Sequence, residues 1–297
     1  MTVVITGSGS FIGKELIRHC RAQNIPYVGL DSAPTGDANC RQLDIRSPEI
    51  AKAIPENAQA IVHLAALSRD SDCKRDPAAA FDVNVGGTLN LMQAAQARKV
   101  RQFVFASSEW VYGNAAGDSV QTEDSVIDAN QITSEYALTK IAGERLLFMA
   151  HQRGLCPVTV LRFGIVYGPR SAPMNPLEGL CHEVRTRDVV EVKCSLNSGR
   201  RFVHVSDIAD GILATLGRSG FEIFNLSANS LVTFRQVIEE SARILEKTPR
   251  IVETNAHILN VRNPDNQKAR RLLGWEPRVD LKTGLASFLN FREGGET

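Results

Sequence analysis

The chain has 297 residues, 43% hydrophobic and 23% charged, enough to bury a substantial core as one large domain or as a domain with an appended lobe. A formal net charge of +1, with both signs interspersed, marks neither a nucleic-acid surface nor a membrane surface. Six cysteines (20, 40, 73, 156, 181 and 194) form no C-x-x-C pair and have no histidine at ligand spacing, so we expect reduced thiols, no metal site and a cytoplasmic protein.

The first strand, TVVIT (2–6), begins too early to leave room for a signal peptide, and no apolar run reaches the length of a membrane span. A helical pattern near 11–23 follows, then strands PYVGL (26–30) and AIVHL (60–64), and a helical pattern over 77–98. Strand QFVFA (102–106), a helix near 135–153, and strands VTVLR (158–162) and EIFNL (222–226) continue the alternation. The strands are continuously apolar, as when helices cover both faces of a parallel sheet, so we expect an α/β, doubly wound fold. After Gly168 the rhythm breaks at Pro169, Pro173 and Pro176, followed by a helix-like stretch, a VVEV strand and a polar loop at 195–199. RFVHVSDIADGILATL then returns to the main domain, with Ser206 capping a helix from Asp207. Helices over 233–246 and 265–273 are assigned to a smaller C-terminal lobe.

Three places carry chemistry. TGSGSFIG (6–13) joins a strand to a helix, the context in which free N–H groups and a partial positive charge receive a pyrophosphate. Gly7 permits the tight turn and Gly13 the close approach of helix to sheet. Asp31, eighteen residues after Gly13, ends the second strand where an acid bonds the adenosine ribose hydroxyls. No Arg or Lys follows it to receive a 2′-phosphate, so NAD is expected over NADP. Asp44 by itself reads as an ordinary turn or N-cap residue, and His63 as a core histidine.

Tyr136 and Lys140, in SEYALTKIAGE, stand four apart on one helix face. An ammonium about 4 Å from a phenol, at an effective dielectric of about 20, favours the phenolate by roughly 4 kcal/mol, on the order of three pKa units. That would bring the tyrosine toward its working range as an acid–base group. Upstream, FVFASSEWVYG (103–113) runs an apolar strand into two serines, and Ser108 is placed to hydrogen-bond a substrate oxygen. The roughly twenty polar residues between Gly113 and Tyr136 are long for a structureless loop, which favours a functional role.

TGSGSFIG, Asp31, LDI (43–45), HLAA (63–66), NVGGTLNLMQAA (84–95), FASSEWVYG, YALTK, LRFGIVYGPR (161–170), RRFVHVSDIA (200–209) and LGWEP (273–277) occur in the order seen in extended short-chain dehydrogenase/reductases. Among these the chain most resembles NAD-dependent nucleotide-sugar epimerases and dehydratases, over nearly its whole length. The resemblance implies a Rossmann domain at 1–168 joined by 202–228, with a substrate lobe from 169–201 and 229–297. It implies a cofactor site of Gly7, Ser10, Phe11, Ile12, Gly13, Asp31, Leu64, Ala65, Ala66, Ala106, Ser107 and Phe163, with Asp44 and Ile45 at the adenine edge. Asn84 would support the strands near it. Ser108, Tyr136 and Lys140 become the catalytic trio, with Lys140 also holding the nicotinamide ribose. Ser108, Glu109, Tyr136 and Arg200 face the substrate, Arg200 gripping the diphosphate of a nucleotide sugar, most often a UDP-sugar. Trp275 is structural. A homodimer is implied, built on the helices at 77–98 and 135–153.

Three departures stand out. Ser10 replaces the middle glycine of the family's T-G-x-x-G-x-x-G, and Ile165 replaces an asparagine that helps hold the diphosphate. Before V-Y-G, where 4,6-dehydratases carry a glutamate, stands Trp110. The expected activity is C4 epimerisation through a transient 4-keto sugar. A 4,6-dehydratase or dehydrogenase of the same family is the alternative among enzymes, and a non-catalytic NAD-binding regulator the alternative of another class.

Overall fold

The computed structural model of the protein describes residues 2–113, 119–171 and 175–291. Pro173, and residues 114–118 of the long polar connection, lie outside the described residues. Seven parallel strands form the central sheet: β1 (Val3–Thr6), β2 (Tyr27–Asp31), β3 (Cys40–Gln42), β4 (Ala60–His63), β5 (Phe103–Ser108), β6 (Val158–Phe163) and the strand Phe221–Leu226. Across the sheet they run Phe221–Leu226, β6, β5, β4, β1, β2, β3. The order reverses beside β1, whose Thr6 pairs with Leu30 on one side and His63 on the other. A crevice therefore opens beyond the carboxyl ends, where Thr6, Asp31, His63, Ser108 and Phe163 stand.

Alternate residues along each strand point to opposite faces. On one face Val3 and Ile5 pack with Leu16 and Ile17 of α1 (Phe11–Ala22), Leu161, Phe224 and Ile212. On the other, Val4 and Ile61 pack with Leu91, Phe103, Val158 and Leu147. A third apolar cluster gathers Tyr167, Leu177, Val184, Val190, Phe202, Val237, Ile238 and Phe288. It is built by the helices Pro176–Thr186, Phe234–Ile244 and Leu281–Leu289 around short strands.

Three elements differ from expectation. The helix expected over 77–98 is divided into α4 (Pro77–Phe81), a π-helical turn (Asp82–Gly86) and α5 (Gly87–Ala97). A Cβ on Gly87 would fall 2.4 Å from Ile45 Cδ1, so α5 approaches the 44–46 turn more closely than any side chain allows. The helix expected from Asp207 spans Val205–Ala214, and its cap is His204, whose ring nitrogen accepts from Ser206 N. Finally, the helix Gln267–Leu273 does not join the third cluster. Ala269 and Trp275 pack in the first layer, and the Trp275 indole donates to the Asp207 carbonyl at 2.9 Å. The reason is the edge strand Phe221–Leu226, whose Phe224 and Leu226 need apolar cover.

Candidate active site

At the strand ends lies a cleft of about 1050 Å³. Its lining takes in Gly7, Ser10, Phe11, Ile12, Asp31, Asp44, Ile45, Leu64, Ala65, Ala66, Ala106, Ser107, Ser108, Tyr136, Lys140 and Phe163. The residues picked from separate strands, helices and turns thus meet in one place. Gly13, Asn84, Glu109 and Arg200 do not line it.

Gly7 has φ +69°, and a Cβ there would lie 2.7 Å from Ala65 N. On Gly13 it would lie 2.2 Å from the Gly7 carbonyl oxygen. Both positions admit only glycine. Ser10, in the middle-glycine position, has φ −69° and caps α1, its Oγ accepting from Gly13 N at 3.1 Å. The serine is therefore tolerated by the backbone and takes up one of the helix's orphan donors. Gly9 donates its N–H to Asp31 Oδ2 at 2.9 Å, tying the turn to the acid at the end of β2. Asp31 Oδ1 accepts from Ala33 N at 3.0 Å. The first N–H groups of α1, at Phe11 and Ile12, open on the cleft without helical partners. These features fit a dinucleotide: no side chain fills the turn, donors face it, and an acid lies at the ribose distance in sequence.

Asp44 is engaged by Arg46 at 2.6 Å, which also reaches Asp82 at 2.7 Å. That arginine holds the Asp44 carboxyl below its ordinary range, and its own charge is already matched. Asn84 sits on the π turn behind the wall: its carboxamide accepts from Leu67 N and donates to Leu67 O and Thr139 Oγ1. It braces the 64–67 segment against α6 (Glu135–Gln152) without touching the cleft. His63 lies between Thr6 and Thr88 at 2.8 and 3.0 Å, and burial holds its imidazole down to about 3, so it is a neutral core residue.

Tyr136 and Lys140 share one face of α6, with Lys140 Nζ 5.6 Å from the Tyr136 ring centroid and 5.0 Å from that of Phe105. The Ser108 side chain acts on the Tyr136 phenol in the sense that favours its ionised form. The expected depression of the phenol is not present in the protein alone. Burial pushes Tyr136 up to about 12 against the influence of Ser108, and burial lowers Lys140 to about 8. Desolvation disfavours both charged forms, and the ammonium stands over the ring rather than at the hydroxyl. Behind the serines, Glu144 accepts from Ser107 Oγ at 2.5 Å and pairs with Arg162 at 2.7 Å, both nearly solvent-free. Arg162 continues to the Tyr112 hydroxyl, which donates to Asn225. This chain of bonds fixes the end of β5. Sequence reasoning passed over Glu144 although it stands four residues after Lys140.

Arg170 was also passed over. It lines the cleft, lies 3.6 Å from the Phe11 ring centroid, and pairs at 2.9 Å with the buried Glu178. Its signals were the proline-marked break after Gly168 and its place at the end of LRFGIVYGPR (161–170). Trp110 lines the cleft near Ser108, with the Arg262 guanidinium 4.1 Å from its ring centroid. Glu109 turns away from the cleft and is buried, 3.8 Å from Arg200 and 3.9 Å from Arg262. Arg200 is buried too, donating to Gly199 O, Asn260 O and Asn260 Oδ1. Neither Glu109 nor Arg200 lines the cleft in the protein alone: the short strands Gly199–Arg200 and Val261–Arg262 turn Arg200 and Arg262 toward Glu109. No group of three or more His, Cys, Asp or Glu among the described residues is arranged to hold a metal ion.

Residues 3–227 match the model of the NAD dependent epimerase/dehydratase family. A UDP-glucuronate 4-epimerase of Thermodesulfobacterium geofontis is 30% identical over 84% of this chain and 78% of its own length. UDP-glucuronic acid decarboxylase 2 of Arabidopsis thaliana is 25% identical over 96% of this chain and 66% of its own. Among solved structures, MoeE5 in complex with UDP-glucose and NAD superposes with a TM-score of 0.85 at 30% identity, over 97% of both chains.

Proposed function

The chain belongs to the NAD dependent epimerase/dehydratase family, and on that premise we propose that it is an isomerase of carbohydrate metabolism, a nucleotide-sugar 4-epimerase acting on a UDP-sugar. The observation that carries this reading is the convergence of Ser108, Tyr136 and Lys140 on one cleft whose other end is formed by the Gly7–Gly13 turn and Asp31.

The turn, the α1 N-terminus and Asp31 would hold NAD, which when bound would supply the acceptor and donor of hydride at the sugar carbon. Tyr136 takes the proton of the C4 hydroxyl and later returns it. Ser108 hydrogen-bonds the same oxygen and keeps it in line with the phenol. Lys140 orients the nicotinamide ribose, its ammonium standing 5.6 Å from the Tyr136 ring centroid. Leu64, Ala65 and Ala66 exclude water from one side of the cleft. The 4-keto sugar turns over between the two transfers, so no net oxidation results.

Elimination of water needs a second acid and base at C5 and C6. Trp110 occupies the cleft where such a group would stand, and its indole N–H cannot accept a proton at neutral pH. Glu109, the nearest carboxylate in sequence, points into the arginine cluster. A UDP-glucuronate 4-epimerase among the relatives is in keeping with this reading. The test is a panel of UDP-, dTDP- and GDP-sugars followed by product mass and stereochemistry: an epimer of unchanged mass is expected, and loss of water or of carbon dioxide would contradict it. We further propose a homodimer on α4, α5 and α6, where Phe81, Leu89, Leu138 and Met149 are left exposed.

A further inference from the structure

Glu109 opens the 3-10 turn Glu109–Tyr112 immediately after Ser108, and it is 1% exposed. Neither carboxylate oxygen has a hydrogen-bond partner. A buried carboxylate normally collects several such bonds, and leaving them unmade is costly. The groups facing it are two cations, Arg200 Nε at 3.8 Å and Arg262 Nη1 at 3.9 Å, both beyond hydrogen-bond range. They are register partners on adjacent parallel strands, so their side chains lie side by side. Two more groups act on this pair from outside. Asp70 on α3 (Asp70–Arg75) influences Arg262, but it is bonded to Ser134 and Lys74. The Cys194 thiol influences Arg200. Glu109 thus faces both guanidinium groups without a hydrogen bond to either. This cluster sits directly behind Trp110, which forms the cleft wall and stacks on Arg262.

We propose that Glu109 is an internal competitor for the Arg200–Arg262 pair, and that docking of the substrate's diphosphate on these arginines is coupled to uptake of one proton by Glu109. This rests on the reading of the substrate as a nucleotide-linked sugar. The physical sequence is short. Negative charge arriving at the two guanidinium groups draws them from Glu109 and repels its carboxylate, and both effects favour the neutral acid. Burial, opposed by Arg262 and then Arg200, already holds the free protein's Glu109 up to about 7. Protonation therefore lies within reach near neutrality. Glu109 sets substrate affinity as a function of pH without entering the reaction.

Isothermal titration of UDP-, dTDP- and GDP-glucose into the NAD-loaded protein tests this, with Tyr136→Phe present throughout to hold turnover off. Repeating it in buffers of different ionisation enthalpy counts the protons. The diphosphate diester of these ligands does not titrate near neutrality, so any proton counted belongs to the protein. Near pH 8, uptake of about one proton is expected, with affinity weakening up to tenfold per pH unit above the Glu109 value and levelling off below about pH 6. Glu109→Gln keeps the shape and removes the charge. It should bind roughly tenfold more tightly near pH 8 and take up no proton. Binding without proton uptake, uptake that survives in Glu109→Gln, or weaker binding by that variant would each overturn the proposal. Should Glu109→Gln fail to fold, the proton count with Glu109 present decides alone. Failure of all three ligands to bind would contradict the nucleotide-sugar reading itself, and this inference with it.

Discussion

Tyr136, Ser108 and Lys140 could be picked out from the sequence because each has a local signature: a four-residue helical spacing and an apolar strand that ends in serines. What spacing could not reveal was their electrostatic state. Burial raises the phenol and lowers the ammonium, so the pair is poised only when something else in the cleft favours the phenolate. Replacing Tyr136 with Phe keeps the ring and removes the proton acceptor. We expect turnover to fall by roughly a hundredfold or more with NAD still bound, read by product formation and by released cofactor; a variant retaining about a tenth of the rate would contradict the assignment. Asp31 carries a second expectation. Its carboxylate opposes a 2′-phosphate, and Arg46 in the same cleft is already matched by Asp44 and Asp82. NAD should therefore bind more tightly than NADP in direct titration, and equal affinity would count against this role. Glu109 and Arg200 show the opposite limit: nothing in the residues around them announces that they face each other across two distant strands.

At the scale of elements, the alternation of apolar runs and amphipathic stretches was enough to find six of the sheet's strands and the helices over them. The third strand, Cys40–Gln42, escaped because its three residues are half-buried or exposed and carry no apolar pattern. The π turn at Asp82–Gly86 escaped because its cause is tertiary, the packing of α5 against Ile45 and of Asn84 against Leu67 and Thr139. The phosphate turn was legible, but its unusual spelling was explained only by geometry. Ser10 is a helix cap, Gly9 an Asp31 partner, and Gly7 and Gly13 are the obligatory glycines. Gly7→Ala must place a Cβ 2.7 Å from a backbone nitrogen at positive φ, a cost of roughly 1–3 kcal/mol. At Gly9 the nearest neighbours are a Thr35 methyl at 3.1 Å and Asp31 Oδ2 at 3.2 Å, with no positive φ. Thermal melts should show Gly7→Ala the more destabilised and the poorer at retaining NAD; the reverse order would refute this reading of the turn.

For the whole molecule, the parallel sheet brings seven strand ends to one edge, and Asn175 and Pro176, at the start of the first helix of the third apolar cluster, join the lining of the cleft there. Leu138 and Met149 lie about three turns apart on α6 and face outward with Phe81 and Leu89. Apolar surface of this kind favours a symmetric pair of chains. Sedimentation at micromolar concentration should give a dimer, and Leu138→Glu with Met149→Glu should shift it toward monomer; a monomeric starting protein would contradict the interface. In the proposed reaction one sugar carbon loses hydrogen within the cleft and regains the same hydrogen on its other face. The most direct measurement uses the nucleotide sugar that the protein epimerises, labelled with deuterium at C4 and turned over in ordinary water. A C4 epimer of unchanged mass that keeps its deuterium is expected. Washing-out of the label, a dehydrated or decarboxylated product, or stoichiometric release of NADH would contradict it.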